Sequence, residues 1–271
     1  MTLHPGRLVL LGHPVAHSLS PIFQQAALQS AGMALRYEAL DVRADELPGL
    51  VKILKSQRAA GNVTIPHKQA VAALCDRLTP TAERTGAVNT FWFAEDRLCG
   101  DNTDVIGFDR LVQSLALPAV PQRVLLLGAG GAAAAVCETV RSWDGPKVSI
   151  WSRSRSSAEG LARRFDACAT IVSDLSSAAA SADLIVNATP VGLRDDALPL
   201  PIDSMRRDAA VTDLVYRRGE TPWVLASRAA GHPAVDGLVM LLEQGIAAFR
   251  RWFHREPDRA AMWAALKDAA R

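Results

Sequence analysis

The sequence predicts an α/β fold in two blocks, the second a doubly wound nucleotide-binding domain, and three observations lead there. Short apolar runs alternate with segments of helical periodicity along most of the chain, the pattern of a parallel or mixed sheet covered by helices. The apolar run Val124 to Leu127 passes through Gly128 and Gly130 into an alanine-rich helical segment. The length of 271 residues, at roughly 150 per domain, suggests about two domains.

Composition narrows the function classes. Hydrophobic residues make up 49% of the chain and charged residues 21%, enough to bury a core. Thirty basic against twenty-eight acidic side chains leave a net charge of +2, too little for a chain built to lie along nucleic acid or an anionic membrane. Any anion binding must therefore be local. Cys75, Cys99, Cys137 and Cys168 form no CxxC pair and no Cys/His cluster at zinc spacing, so reduced thiols, a cytoplasmic address and no metal are expected. The apolar run Leu8 to Leu11 is halted by Gly12, His13 and Pro14, too soon for a signal segment or a membrane span, and reads as the first buried strand.

The elements follow in order. Arg7 to Leu11 is a strand, "GHPVAHSLSP" a polar turn, and "IFQQAALQSAGM" a helix ending at Gly32. "RYEALDV" is the next strand, 47–56 a helix and "GNVTIP" a short strand. "HKQAVAALCDRL" follows as a helix with Ala70, Val71, Leu74 and Leu78 on one face. Phe108, Leu111, Val112 and Leu115 at i, i+3, i+4 and i+7 predict a helix from near Thr103, the expected N-cap, until Pro118 and Pro121 break the pattern. The second block has strands in "RVLLL", "KVSIW", "DLIVNATP" and "VTDLVY". A short helix is capped by Thr221, opened by Pro222 and stopped by Gly231. From Asp236 to the end the chain reads as helical, with a stripe of Leu238, Leu241, Leu242, Ile246, Phe249 and Phe253.

Gly128, Gly130 and Ala133 occupy the three positions of the G-x-G-x-x-G/A dinucleotide fingerprint, in the strand-turn-helix setting it requires. The first glycine allows the tight turn and the second lets backbone approach a pyrophosphate. The segment Gly128, Ala129, Gly130, Gly131 and Ala132 then meets the phosphates with free N–H groups at a helix N-terminus. A carboxylate at the end of the next strand would hold the ribose of NAD; the chain instead has Ser152, Arg153, Ser154 and Arg155. Two guanidiniums and two hydroxyls suit the 2′-phosphate of NADP, although the same residues could form a solvated basic turn.

In the first block, polar residues gather where α/β sheets hold ligands, beyond the carboxyl ends of strands. They are Ser18 and Ser20, Thr64 and Lys68, and the stretch from Asn89 to Asp104. Lys68 sits at a strand-to-helix corner after Pro66, and Asp104 in the first turn of a helix, where the dipole favours its ionised form. Either could be only a solvated cap. Gly237, Met240 and Gln244 share one face of the last helical segment, so Gln244 can line a cleft or sit on an ordinary surface.

"GHPVAHSLSP", "GNVTIPHK", "GAVNT", "GDNTD", "GAGGA", "NATPVG", "VY" followed by "TP", and "DGLVMLLEQ" occur in the order found in shikimate dehydrogenases, and the resemblance covers nearly the whole chain. It implies NADP-dependent reduction of 3-dehydroshikimate to shikimate in aromatic amino-acid biosynthesis. The implied fold is a discontinuous α/β substrate domain, residues 1–104 and 237–271, around a Rossmann-type NADP-binding domain, residues 105–236. Lys68 and Asp104 match the catalytic pair. Ser18 and Ser20 would bind the carboxylate, and Thr64, Asn89 and Gln244 the ring hydroxyls. Tyr216 would add a substrate contact, and Thr189, Leu214 and Gly237 would complete the NADP site. His13, His17 and His67 fall at structural positions of the family pattern; His4, His232 and His254 are expected at the surface.

The chain departs from the family pattern in places. Val105 and Val239 stand where glycine is usual, Phe23, Gln24 and Gln25 fall where a His-Asn pair is common, and the second basic residue of the NADP motif is displaced to Arg155, with Ser157 in its place. The alternatives are a quinate/shikimate dehydrogenase or shikimate dehydrogenase-like paralogue using NAD or a related substrate, and a non-catalytic sensor of pathway intermediates. A monomer or a homodimer fits equally.

Overall fold

The computed structural model describes residues 4–271. The chain divides into two compact units, one ending at Asp104 and resuming at Leu241–Arg271, the other Val105–Met240. Among the described residues no helix is long and apolar enough to cross a membrane.

In the first unit the elements are β1 (Arg7–Gly12), α1 (Ser20–Ser30), β2 (Tyr37–Asp41), α2 (Leu47–Ser56) and β3 (Ala59–Val63). They are followed by α3 (Lys68–Leu74), β4 (Arg77–Leu78), α4 (Pro80–Thr85), β5 (Thr90–Ala94) and β6 (Arg97–Asp101). The six strands form one sheet in the order β2-β1-β3-β5-β6-β4. β1 runs parallel to β2 and β3, while β5 is antiparallel to both β3 and β6. Leu8 to Leu11 are all buried, as the continuous apolar run requires of a strand covered on both faces.

Two expectations change here. The hydrophobic face assigned to 67–78 does not form: α3 ends at Leu74, Cys75 is extended with ψ 135°, and Leu78 belongs to β4. Val71 is buried, whereas Ala70 and Leu74 lie exposed. The polar stretch after Asn89 is a hairpin of β5 and β6, joined at Glu95 and Asp96, both with positive φ.

The second unit contains the rest of α5 (Asp104–Ser114), then β7 (Arg123–Leu127), α6 (Gly131–Ser142), β8 (Lys147–Trp151), α7 (Arg155–Arg164), β9 (Ala169–Ile171), α8 (Leu175–Ser181) and β10 (Leu184–Asn187). A 3-10 turn at Ile202–Ser204, β11 (Ala210–Asp213), α9 (Pro222–Ala229) and β12 (Ala234–Val235) follow. The sheet is parallel throughout in the order β12-β11-β10-β7-β8-β9, the doubly wound arrangement expected. Both faces are covered: Val124 and Leu126 pack into one core cluster with Val136, Val140 and Phe108, and Leu125 and Leu127 into another with Trp223 and Leu200. Each such fully buried side chain contributes about 1.5–3 kcal/mol. Thr221 caps α9 by accepting from the Val224 N–H, and Gly231 follows its end with φ 91°.

The C-terminal segment is two helices, not one. α10 (Leu238–Phe253) stops at His254, whose φ is 52°, and Asp258 caps α11 (Arg259–Ala270) by accepting from Ala260 and Ala261. His232 is buried, with Nδ1 3.0 Å from the Ala209 carbonyl, contrary to its expected surface position.

Candidate active site

Lys68 is placed by the corner after β3. The Ile65–Pro66 peptide is cis, the His67 N–H donates to the Thr64 carbonyl, and α3 starts at Lys68. The buried His67 ring lies 2.6 Å from the Val42 carbonyl through Nε2 and so anchors the start of α3. The Lys68 carbonyl accepts from the Val88 N–H. Nζ reaches Oδ2 of Asp104 at 2.5 Å, with the two side chains 16% and 7% exposed.

Asn89 organises the other side of this pair. Its Nδ2 donates to Oδ1 of Asp104 at 2.8 Å and to Oε1 of Gln244 at 3.3 Å, while its Oδ1 accepts from the N–H and the hydroxyl of Thr103. Thr103 thus spends its hydroxyl hydrogen on Asn89. The Asp104 N–H donates to the side chain of Asn102. Gln244, on α10, is fixed through Nε2 to the Leu241 carbonyl at 2.7 Å. Lys68, Asp104, Asn89 and Gln244, four residues named from sequence, therefore meet in one network.

Two members of the network are additions. Asn62 donates to the Asn89 carbonyl and accepts from the Tyr37 hydroxyl at 2.7 Å, and burial pushes that phenol far above its ordinary pKa. The available signal was an asparagine inside β3, whose five residues are all buried.

Ser18 and Ser20 lie at the entrance to α1, where the Ser18 hydroxyl accepts from the Ser20 N–H at 3.3 Å. Their loop is tied to β2 through His13, whose Nδ1 stands 2.5 Å from Asp41. The imidazole beside it holds the Asp41 carboxyl below the usual carboxylate range. Thr64 follows β3 and bonds through its N–H to the Leu11 carbonyl. Among the described residues, Ser18, Ser20 and Thr64 make no hydrogen bond to the Lys68 network.

In the other unit the fingerprint turn takes the expected form. Gly128 has φ 111°, which an L side chain rarely adopts. A Cβ at Gly130 would meet only open space, and Gly130 precedes α6 without a side-chain cap, leaving its N-terminal N–H groups free for an anion. Asn187 accepts from the N–H and hydroxyl of Thr189 and donates to Asp213 at 2.8 Å, and the Leu214 N–H donates to the Asn187 carbonyl. A Cβ on Gly237 would stand 2.4 Å from the Leu214 carbonyl oxygen, so this close approach requires glycine. Thr189, Leu214 and Gly237 thus sit on interlocked segments; Tyr216 follows Leu214 by two residues.

Ser152, Arg153, Ser154 and Arg155 form the turn after β8. The Ser154 hydroxyl caps α7 by accepting from Ser157, and Ser152 accepts from the Ser154 N–H. Arg155 is 88% exposed at its side chain and paired with Glu159 at 2.9 Å, whereas Arg153 has no ion-pair partner among the described residues.

Residues 10–91 match the shikimate dehydrogenase substrate binding domain, 111–192 the shikimate/quinate 5-dehydrogenase family and 237–267 the shikimate 5'-dehydrogenase C-terminal domain. A shikimate dehydrogenase (NADP(+)) of Thermus thermophilus is 41% identical over 97% of this chain and 98% of its own. The chain belongs to the shikimate dehydrogenase family.

Other members extend the comparison. A shikimate dehydrogenase (NADP(+)) from Rubrobacter xylanophilus is 42% identical, over 95% of this chain and 94% of its own. A crystal structure of the Thermus thermophilus enzyme in complex with NADP(H) and shikimate matches with a TM-score of 0.88, covering 97% and 99% of the two chains. Quinate dehydrogenase from Corynebacterium glutamicum in complex with NAD also gives a TM-score of 0.88, at 30% identity over 95% and 97%. Against the family pattern, the Gln24 amide in α1 donates to the Gly245 carbonyl of α10 at 2.9 Å, and Val239 packs against the core of its own unit.

Proposed function

We propose that this chain is an NADP-dependent shikimate dehydrogenase, catalysing the reversible reduction of 3-dehydroshikimate to shikimate in aromatic amino-acid biosynthesis. The observation that carries the reading is the Lys68–Asp104 pair, shielded from solvent and braced by Asn89 and Gln244. We assign substrate binding to the unit that holds this pair and cofactor binding to Val105–Met240.

The residues of that second unit fit NADP. The open space over Gly130 and the uncapped start of α6 suit a pyrophosphate, and Arg153, with Ser152 beside it, suits a 2′-phosphate. When bound, NADP supplies or accepts the hydride.

Lys68 does the proton work. One of its ammonium hydrogens is spent on Asp104, leaving two to face the oxygen on which negative charge develops. In reduction it gives that oxygen a proton; in oxidation it takes one back. Asp104 orients the ammonium and accepts from a neighbouring ring hydroxyl. All hydrogen-bonding positions of the Asn89 side chain are filled, so a ring hydroxyl reaching it replaces the longest contact, the 3.3 Å bond to Gln244, and Gln244 then turns to the ligand. Ser18 and Ser20 offer hydroxyl donors to the substrate carboxylate, Thr64 a further one to the ring, and Tyr216 a further substrate contact. The reading takes the enzyme to be a monomer or homodimer, and its cytoplasmic address is supported by four free cysteines.

Steady-state rates with shikimate and quinate, each with NADP+ and NAD+, test the proposal. The highest kcat/KM should belong to shikimate with NADP+; preference for quinate with NAD+ would overturn it in favour of the quinate reading.

A further inference from the structure

Arg251, near the end of α10, is held from two sides. Its Nη2 lies 2.5 Å from Oδ2 of Asp101, and its Cζ stands 5.4 Å from the centre of the Trp92 ring. The Asp101 side chain is 8% exposed and that of Arg251 44%, so a buried carboxylate takes its counter-charge from an arginine at the rim. The other oxygen of Asp101 accepts from the Thr79 hydroxyl at 2.5 Å and from the Asn102 N–H at 2.8 Å. Thr79 in turn caps α4.

Asp101 opens the four-residue turn that ends at Asp104, and every residue of the turn is tied down. The Asp101 carbonyl accepts from the Asn89 N–H. Asn102 donates to the Thr85 hydroxyl and the Ala87 carbonyl and accepts from the Asp104 N–H. Thr103 donates twice to Asn89. From α10, the formal charge that pulls on the turn is that of Arg251.

We propose that Arg251 is a positioning residue, which acts through Asp101 to hold the Asp101–Asp104 turn in the register that aims Asp104 at Lys68. The inference rests on Asp104 being half of the catalytic pair. Removing the guanidinium leaves a buried carboxylate without its partner, a state costly enough that the turn rearranges to hydrate it. The effect falls on turnover, because Asp104 is displaced while the nucleotide-binding unit keeps its own contacts.

The test is steady-state kinetics of Arg251→Gln, Arg251→Lys and Asp101→Asn in the full chain, below the melting temperature of each, with Lys68→Ala as the reference. Arg251→Gln should lower kcat for shikimate oxidation about five- to tenfold, with KM for NADP+ within about twofold of the parent. Arg251→Lys should recover most of the loss. Asp101→Asn keeps the acceptor for Thr79 and Asn102 but releases Arg251, and should lower kcat about two- to fivefold. Adding Arg251→Gln to it should cost less than the same change costs alone, as expected for residues acting as one unit. A kcat unchanged in both single variants, or in Asp101→Asn if Arg251→Gln does not fold, with Lys68→Ala inactive, overturns the inference alone. Activity retained in Lys68→Ala overturns the reading beneath it.

Discussion

Asn89 Nδ2 stands 2.8 Å from Oδ1 of Asp104, the oxygen that Lys68 does not use. The carboxylate is thus clamped at both oxygens, by an ammonium from α3 and an amide from the segment before β5. Replacing Asn89 by Asp keeps the shape but turns the donor into a second carboxylate facing the first. The substitution should lower kcat/KM by about two orders of magnitude. Asn89→Leu should also cost about 1–3 kcal/mol of stability, since Asp104 and Thr103 lose buried partners. Kinetics with urea denaturation separates the two effects; activity within a few-fold of the parent in both variants would remove Asn89 from the site.

Arg153 and Arg155 are adjacent in sequence role but not in circumstance. Arg155 already shares its charge with Glu159 at a surface position, where such pairs contribute little, while Arg153 has no ion-pair partner among the described residues. Arg153→Ala should raise KM for NADP+ about tenfold or more, the worth of a charge-assisted bond to phosphate, and leave KM for NAD+ within about twofold. Arg155→Ala should have the smaller effect. Equal changes for the two cofactors would show that this turn does not read the 2′-phosphate.

Burial pushes the Asp213 carboxyl up to about 6, against the pull of three donors, the Thr221 hydroxyl, the Val215 N–H and the Asn187 side-chain amide. A folded-state pKa above the unfolded value of 3.8 favours the protonated native form. Its contribution is full below the unfolded value and is lost as pH rises through about 6. Asp213→Asn preserves the acceptor for Val215 and Asn187 and does not titrate. The stability of the variant relative to the parent should therefore rise by about 2–3 kcal/mol between roughly pH 4 and pH 8, measured by urea denaturation at both. Parallel pH profiles would contradict this.

The parts legible in the sequence were those whose signal is local. A run of apolar residues, two glycines and an alanine helix identify β7 to α6 without reference to the rest of the chain. The Lys68 corner was legible because Pro66 and the extended residues before it limit the backbone. The β5–β6 hairpin carries no such signal, because its two-residue loop is Glu95-Asp96, acidic residues holding positive φ in place of the Asn-Gly that usually marks such a turn. The apolar spacing of 67–78 continues across Cys75, where the backbone has already left the helix, so periodicity alone does not mark the end of α3. The Tyr37–Asn62 bond has no local signal because it is a tertiary one, made between separate strands.

Turnover of Lys68→Ala, measured with NADP+ binding on the same preparation, decides whether Lys68 is the acid–base group. Its kcat should be lower by about two orders of magnitude or more, the range for a lost acid–base group, with NADP+ affinity within about twofold of the parent. A kcat near the parent value would contradict that role.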